Sequence, residues 1–203
     1  MSDLKKENSY NYEGKSFKGY LLPSNPLIVA LTAVFMALIY IITAFFAIPV
    51  PATGGYINLG DMLVMFTALL FGPIVGGLAG GFGSMLADIL SPYYIYAPAT
   101  LLIKGIEGFL IGLISNPRNN NSRVSFRDLM AVIIGGIIIP LGYFLYEAFV
   151  LNLGVAVALV EVPGNFFQFG FAAISSIILI TATRKNLITN FPQVFNKVFI
   201  LQF

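Results

Sequence analysis

Long apolar runs make up most of this chain from residue 27 onwards, and short breaks rich in proline, glycine and asparagine separate them. A run of about 20 apolar residues is long enough to cross a bilayer as an α-helix. The breaks predict six helices, at residues 27–48, 57–71, 74–90, 95–115, 129–151 and 166–183. The pattern therefore predicts an all-α integral membrane protein, folded as a bundle of six transmembrane helices.

The composition agrees with this class. The chain has 203 residues, of which 58% are hydrophobic and 10% are charged, whereas soluble domains usually carry about 25% charged residues. Lipid must therefore cover most of the surface. Neither Cys nor His occurs, which excludes disulfides, Cys or His zinc sites and histidine-based catalytic triads. We expect a protein that is not an enzyme and that has no catalytic residues, no metal site and no cofactor.

The basic residues predict how the helices are oriented, because short cytoplasmic loops retain Lys and Arg. Ten of the eleven lie in three segments, at residues 1–26, 116–127 and 184–203. The alternating segments, at residues 49–56, 91–94 and 152–165, contain none. With an even number of helices, this asymmetry predicts that both termini are cytoplasmic.

The same pattern predicts three parts along the chain. Residues 1–26 are predicted to form a cytosolic N-terminal arm, and residues 27–183 the six-helix membrane domain. In residues 184–203, polar side chains alternate with Phe, Val and Ile. This alternation is typical of a segment that lies in the cytosol or along the membrane interface.

Lys104 is the one basic residue inside a predicted membrane helix, and Glu107 follows it at a spacing of three residues. The two side chains share a helix face, and they lie roughly 14 and 18 Å from the outer start of the helix. A charge at the centre of a membrane helix costs on the order of 2.5 to 3.5 kcal/mol, so such residues usually face the interior of a bundle. Two interpretations are open: a functional pathway, or a structural pair in which the charges neutralise each other.

Polar side chains concentrate in the outer half of the predicted bundle, whereas the residues of its inner half are almost all apolar or small. The outer group contains Asn58, Asp61, Asp88, Tyr93, Tyr94, Tyr96, Thr100, Tyr143, Glu147, Asn152, Asn165 and Gln168. Aromatic and polar groups in a concave site suit a small polar solute that carries a ring. Two alternatives remain: Tyr93, Tyr94 and Tyr96 could form an interfacial belt, and Asn165 could cap a helix.

Two helices carry small residues at a spacing of four, which allows close approach of another helix. The first helix has Ala33 and Ala37, and the third has Gly76, Gly80 and Ser84. Both patterns predict packing faces.

In these features the chain resembles the substrate-binding S components of prokaryotic energy-coupling-factor (ECF) vitamin transporters. The resemblance covers residues 27–183 and rests first on Ala33 and Ala37. It rests also on GGYINLGD at 54–61, LLFGPIVGGLAGGFGSMLADIL at 69–90, APATLLIKGIEGFLIGLI at 97–114 and VPGNFFQFGF at 162–171. Their order along six helices carries more weight than any one segment.

The resemblance implies a six-helix bundle in the prokaryotic plasma membrane, with no ATPase activity of its own, that captures a vitamin or a vitamin precursor. The implied partners are a transmembrane coupling subunit and two cytosolic ATPases, and Ala33 and Ala37 would contact the coupling subunit. The substrate contacts carried over by position are Asn58, Tyr96, Lys104, Glu107, Tyr143, Glu147, Asn165 and Gln168. Riboflavin, pantothenate and pyridoxine-like molecules all remain candidates. The order of the segments resembles riboflavin-type members, Lys104 suits an anion such as pantothenate, and the Asp and Glu side chains suit an amine or a hydroxyl group.

A stand-alone ion-coupled or proton-coupled carrier that uses Lys104 and Glu107 is the alternative. The subunit interpretation is favoured because the predicted polar site is confined to the outer half of the bundle. Without a polar route through the inner half, another component must move the solute.

Overall fold

The computed structural model describes residues 16–23, 26–119 and 123–198; the start of the predicted arm and the end of the predicted tail lie outside these ranges. The helices are α1 (Pro26–Phe45), α2 (Asp61–Phe71), α3 (Pro73–Ile89), α4 (Ala97–Ser115), α5 (Phe126–Gly136), α6 (Ile138–Leu145), α7 (Val155–Asn190) and α8 (Pro192–Val198). A π-helical turn, Tyr146–Val150, continues α6. Two antiparallel hairpins pair β1 (Ser16–Phe17) with β2 (Tyr20–Leu21), and β3 (Ala47–Val50) with β4 (Gly55–Asn58).

Four helical stretches are long and apolar enough to cross a membrane: Pro26–Phe45, Tyr94–Ser115, Phe126–Val150 and Val155–Asn190. The helices α2 and α3 are shorter, with 11 and 17 residues. They are joined at Gly72, whose φ of +85° favours glycine. The predicted helical membrane class is confirmed, whereas the count of six crossing helices stays a prediction.

The last long helix begins much earlier than the sequence pattern predicts. Residues 155–165, predicted to be loop, form the first turns of α7, and Pro163 lies inside this helix. The predicted start of the last helix at residue 166 is therefore wrong, because the helix runs on through Pro163 and Gly164. Membrane helices tolerate such residues where neighbouring helices compensate for the lost backbone hydrogen bond. The second helix also differs, since Asn58 ends strand β4 and α2 begins at Asp61.

The segments rich in Lys and Arg meet at one end of the bundle, which we call the basic end. The Tyr20 hydroxyl of the first hairpin donates to Asn116 Oδ1 (2.9 Å), and Arg118 donates to the Lys18 carbonyl (2.7 Å). At the same end, Arg184 on α7 donates to both carboxylate oxygens of Asp128 (2.9 and 3.0 Å). The described parts of these segments lie together, as the pattern predicts, and the side of the membrane on which they lie stays a prediction.

The small residues of α3 pack against three neighbouring helices. A Cβ atom added at Gly76 would lie 2.6 Å from Ala68 Cα of α2, and one at Gly83 would lie 2.7 Å from the Met36 carbonyl of α1. The contact with α4 is as close, since a Cβ at Gly108 would lie 2.4 Å from the Gly76 carbonyl. The predicted packing face on the third helix is confirmed, because only small side chains permit these separations.

Gly108→Ala is expected to destabilise the bundle by about 1–3 kcal/mol, because the new methyl group must push backbone away from backbone. Thermal unfolding in mild detergent measures the loss. Gly105→Ala on the same helix is the matched control: its Cβ would lie 3.7 Å from the Gly77 carbonyl, an ordinary contact. Replacing a helical glycine by alanine is otherwise favourable by up to about 1 kcal/mol. Equal destabilisation by both changes would contradict the proposed packing.

Candidate binding site

A set of buried polar side chains lies beneath the β3–β4 hairpin, at the end of the bundle opposite to the basic end. We call this set the polar cluster; its members are Thr53, Asn58, Asp61, Asp88, Tyr96, Thr100, Lys104, Glu107, Tyr143, Glu147, Glu161, Asn165 and Gln168. It contains all eight residues that the resemblance nominates for substrate contact; they come from the end of β4, from α4 and the residue before it, from α6 and the π-helical turn, and from α7. Their proximity is a finding, and their contact with a substrate stays a prediction.

Asp61, the first residue of α2, links three helices. Lys104 of α4 donates to Asp61 Oδ1, and Gln168 of α7 donates through Nε2 to Asp61 Oδ2 (2.5 Å). The ammonium group of Lys104 therefore has Asp61 as its main partner. Sequence spacing pointed instead to Glu107, whose Oε2 lies 4.0 Å from Lys104 Nζ.

Glu107 is fully buried, and neither of its carboxylate oxygens accepts a hydrogen bond from the described residues. A buried carboxylate without donors is unfavourable by several kcal/mol unless a charge or a ligand compensates it. The shared ammonium group of Lys104 compensates it only in part, because Asp61 is closer to that group. The cluster is therefore incompletely satisfied by its own side chains.

A second group of contacts joins the tip of the hairpin to α7 and to the π-helical turn. The Thr53 hydroxyl donates to Glu161 Oε2, and the Tyr96 hydroxyl donates to the Thr53 carbonyl (3.0 Å) and lies 3.4 Å from Glu147 Oε1. The hairpin backbone approaches closely here, since a Cβ at Gly55 would lie 2.9 Å from Glu161 Oε2. The two glutamates, from separate helices, thus both lie beside the contact between Thr53 and Tyr96 under the hairpin.

Two more bonds anchor the hairpin. The backbone N–H of Asn58 donates to Gln168 Oε1 (2.6 Å), and the Tyr56 hydroxyl donates to Asp88 Oδ1 (2.5 Å). Burial and the neighbouring Asp88 carboxylate raise the pKa of Tyr56, so its phenol keeps the proton that it donates. The hairpin is therefore tied to α3 and α7 and covers the polar cluster.

Residues 161, 165 and 168 of α7 share one face, because their spacings of four and three match the helical repeat. Asn165 is buried, and its Nδ2 donates to no described residue. It lies well inside α7, which begins at Val155, so the helix-capping alternative is wrong. Its amide group is a donor that the surrounding side chains leave unused.

The tyrosines divide between the two roles proposed for them. Tyr94 is 66% exposed, in keeping with an interfacial belt, whereas Tyr96 is 2% exposed and belongs to the polar cluster. The ring of Tyr143 lies 5.5 Å from Lys104 Nζ and 6.4 Å from the ring of Tyr96. The Tyr143 hydroxyl also shares a hydrogen bond with Thr100 (3.1 Å). These contacts connect the part of the cluster around Asp61 and Lys104 to the part around Thr53, Glu147 and Glu161.

Sequence reasoning missed three members that the structure makes central. Asp61 counted among the polar residues of the outer half but was not nominated for the site, and Glu161 was assigned to a loop. Thr53 lies in a turn between two strands, where no periodic pattern marks it. Thr53 belongs to the site because it bonds to Glu161 and Tyr96, and these contacts form only in the folded chain.

Lys104→Met is expected to reduce stability by about 3–5 kcal/mol, because it leaves the Asp61 carboxylate buried without its cation. The double variant Asp61→Asn, Lys104→Met is expected to regain at least half of that loss, because the neutral amide at position 61 no longer needs a cation. Thermal unfolding in mild detergent gives both values. The exposed Lys185 of α7 supplies the control, and Lys185→Met should change stability by less than about 0.5 kcal/mol. A double variant less stable than either single variant would contradict the assignment.

Several known proteins are similar to this chain. A protein of Pyrococcus woesei, described as an uncharacterized protein in gap 3' region, is 42% identical over 132 residues, which are 65% of this chain and 82% of the relative. The thiamine precursor transporter HmpT of Lactococcus lactis subsp. cremoris is 28% identical over 131 residues, 64% of this chain and 72% of the relative. A UPF0397 protein of Exiguobacterium sp. is 33% identical over 91 residues, 43% of this chain and 48% of the relative.

A family model covers more of the chain than these pairwise matches do. The model described as ECF-type riboflavin transporter, S component, matches residues 25–185. The match includes all the described helices from α1 to α6, the β3–β4 hairpin, the polar cluster and most of α7. The chain therefore belongs to the ECF-type riboflavin transporter S component family, a family of membrane transport subunits.

Proposed function

We propose that this chain is the substrate-binding subunit of an ATP-driven uptake system in a prokaryotic plasma membrane, and that the polar cluster holds a water-soluble vitamin or vitamin precursor. The observation that carries the proposal is a cluster of buried polar groups, some without partners, under a hairpin held by hydrogen bonds. Ligand sites typically place a few polar groups within an apolar pocket. Family membership and the similarity to a thiamine precursor transporter support the same proposal.

The hairpin is the proposed entrance. Every member of the polar cluster is buried, so a solute reaches the cluster only when the hairpin moves away from α3 and α7. The hydrogen bonds that Thr53, Tyr56 and Asn58 donate then break, and they can form again when the hairpin closes over the solute. Closing over the solute would also exclude water, which strengthens every polar contact inside.

At the basic end, a buried ion pair of the described residues takes the place that the polar cluster has at the other end. Arg184 bridges Asp128 and the Leu69 carbonyl (2.9 Å), which ties α5, α2 and α7 together at that end. A bundle with a polar site at one end and helices joined by a buried ion pair at the other is expected to need a second component to release its solute. A coupling subunit and two cytosolic ATPases are the partners proposed for that step.

The proposed surface for the coupling subunit is the face of α1 that carries Ala33 and Ala37. Both alanines are exposed, so they do not serve packing within this chain. Val34 and Leu38 beside them are 56% and 42% exposed. Small residues at a spacing of four, flanked by exposed apolar side chains, fit the close approach of a helix from another membrane protein.

Ala37→Leu is expected to abolish uptake and to leave ligand binding by the purified chain unchanged, because the larger side chain blocks the partner helix but touches nothing in the polar cluster. Uptake is measured in cells that also express the coupling subunit and the ATPases. Ala182→Leu, at an exposed alanine of α7, is the matched control and should leave uptake intact. Loss of ligand binding in the Ala37 variant would assign this face to internal packing instead.

The alternative of a stand-alone carrier has one observation in its favour, the buried and poorly compensated Glu107, which could take up a cation. Reconstitution into liposomes separates the two functions. The subunit proposal predicts no uptake by the purified chain in the presence of an ion gradient, and uptake only when the coupling subunit, the ATPases and ATP are added. Gradient-driven uptake by the chain alone would establish the carrier and overturn the subunit proposal.

A further inference from the structure

A groove on the outside of the bundle lies between α3 and α4, where two glycines face each other. Its volume is about 500 Å³, and the residues that line it are all apolar. A Cβ atom added at Gly105 of α4 would lie 3.7 Å from the Gly77 carbonyl of α3, an ordinary contact, so a side chain at this position would extend into the groove. Phe82 and Ile106, which line it, are 40% and 48% exposed. The groove therefore opens to the lipid that surrounds the bundle.

The groove extends over about the depth of one leaflet, starting at the basic end. On α3 it runs from Pro73 to Phe82, which is about 14 Å at the helical rise per residue. Leu22 and Pro23, which follow the β1–β2 hairpin, also line it. Half of a hydrocarbon core about 30 Å thick is about 15 Å. A groove of this depth fits one lipid acyl chain, whereas a partner helix that crosses the membrane would continue past it into the other leaflet.

Cationic side chains lie beside the basic end of the groove. Phe109 of α4 lines the groove, and its ring packs against the ring of Phe17 in the first hairpin, with 5.9 Å between the centroids. The ammonium group of Lys18 lies 5.9 Å from the Phe17 ring, and the Lys18 carbonyl accepts a hydrogen bond from Arg118. Among the described residues, neither Lys18 nor Arg118 forms an ion pair with a carboxylate, and Asp128 at this end already binds another arginine. The basic end of the groove thus carries positive charge that no described acid balances.

A second apolar groove offers a comparison. It lies between α6 and α7, has a volume of about 300 Å³ and is lined by residues between 137 and 166. No Lys or Arg occurs from residue 128 to residue 183. An apolar shape is therefore not special to the α3–α4 groove, and the unbalanced cations beside it are what distinguish it from this second groove.

We infer that the α3–α4 groove binds one anionic phospholipid, with an acyl chain along Gly77 and Gly105 and its phosphate group at Lys18 and Arg118. Because lipid tails surround the whole bundle, the preference for this groove comes from van der Waals contact with its walls and from the cations. The bound lipid connects the first hairpin to α3 and α4, since the hairpin supplies Lys18 and leads into the lining. The inference goes beyond the proposed function and does not depend on which solute the polar cluster holds.

Native mass spectrometry of the full chain in mild detergent tests the headgroup. Palmitoyl-oleoyl phosphatidylglycerol and palmitoyl-oleoyl phosphatidylcholine, which differ in charge but not in acyl chains, are titrated separately. The wild-type chain is expected to bind one phosphatidylglycerol at least about tenfold more tightly than phosphatidylcholine, because two cations face the headgroup. In Lys18→Asn this ratio is expected to fall about fivefold. Asn suits the φ of +49° at this position, so the hairpin turn is kept. Lys185→Asn on α7, which does not line the groove, is the matched control and should leave the ratio unchanged.

Gly105→Phe tests the groove itself. Its ring occupies the space of the acyl chain, so both lipids are expected to bind at least about tenfold more weakly. Gly170→Phe on α7 is the matched control, because a Cβ there meets no atom within 4 Å. It should leave both affinities unchanged. Unfolding temperatures in the same detergent show whether both variants are folded, and Lys18→Asn, which alters no helix contact, keeps the inference testable if Gly105→Phe is not.

Three results overturn the inference. The first is binding of both lipids that a folded Gly105→Phe leaves unchanged, and the second is a headgroup ratio that Lys18→Asn leaves unchanged. The third is a mass of two chains that Gly105→Phe converts into one, because a second copy would then cover the groove. None of these results affects the vitamin-binding proposal, since no residue of the polar cluster is changed.

Discussion

The structure depends on the need to pair one ammonium group inside an apolar bundle. Lys104 has no exposed surface, and an unpaired cation at that depth would be strongly unfavourable. Asp61 meets this need, and Gln168 bonds to the other oxygen of the same carboxylate. Gln168 then holds the backbone of Asn58. The pairing of one charge therefore brings α2, α4 and α7 together and also positions the end of the hairpin that covers the site.

The two ends of the bundle use buried charges differently. At the basic end, Arg184 binds Asp128 in a bidentate pair, the geometry that makes arginine suited to permanent ion pairs. At the other end, Glu107, Glu147 and Asn165 retain polar atoms with no partner among the described residues. At the basic end the unpartnered buried atoms of the described residues are the single Nε atoms of Arg118 and Arg184, whereas Glu107 at the other end lacks hydrogen-bond partners for its whole carboxyl group. We interpret the first arrangement as a structural ion pair and the second as a surface completed by a solute. This contrast fits a subunit that captures solute at one end and relies on partners for its release.

The sequence pattern predicted most of the helices and the grouping of the basic segments, because apolar runs and basic loops are local signals. The family resemblance, not the pattern, nominated eight polar residues for one site; the folded chain buries all eight in the polar cluster, and their contact with a substrate stays a prediction. The pattern failed at residues 155–165, where Pro163 and Gly164 are local breakers that surrounding helices override. Helical spacing paired Lys104 with Glu107, and the folded chain keeps that ion pair at 4.0 Å. The closer partner, Asp61, approaches from another helix and makes a tertiary contact that the sequence does not show.

The central claim is that the polar cluster beneath the hairpin holds a small solute. Native mass spectrometry of the chain extracted in mild detergent tests it most directly, because capture that excludes water should survive purification. The account predicts one bound molecule of vitamin-like mass per chain, whose release lowers the unfolding temperature, since a ligand that binds only the folded state stabilises that state. A chain that carries no small molecule, and whose unfolding temperature no vitamin or precursor raises, would contradict the account.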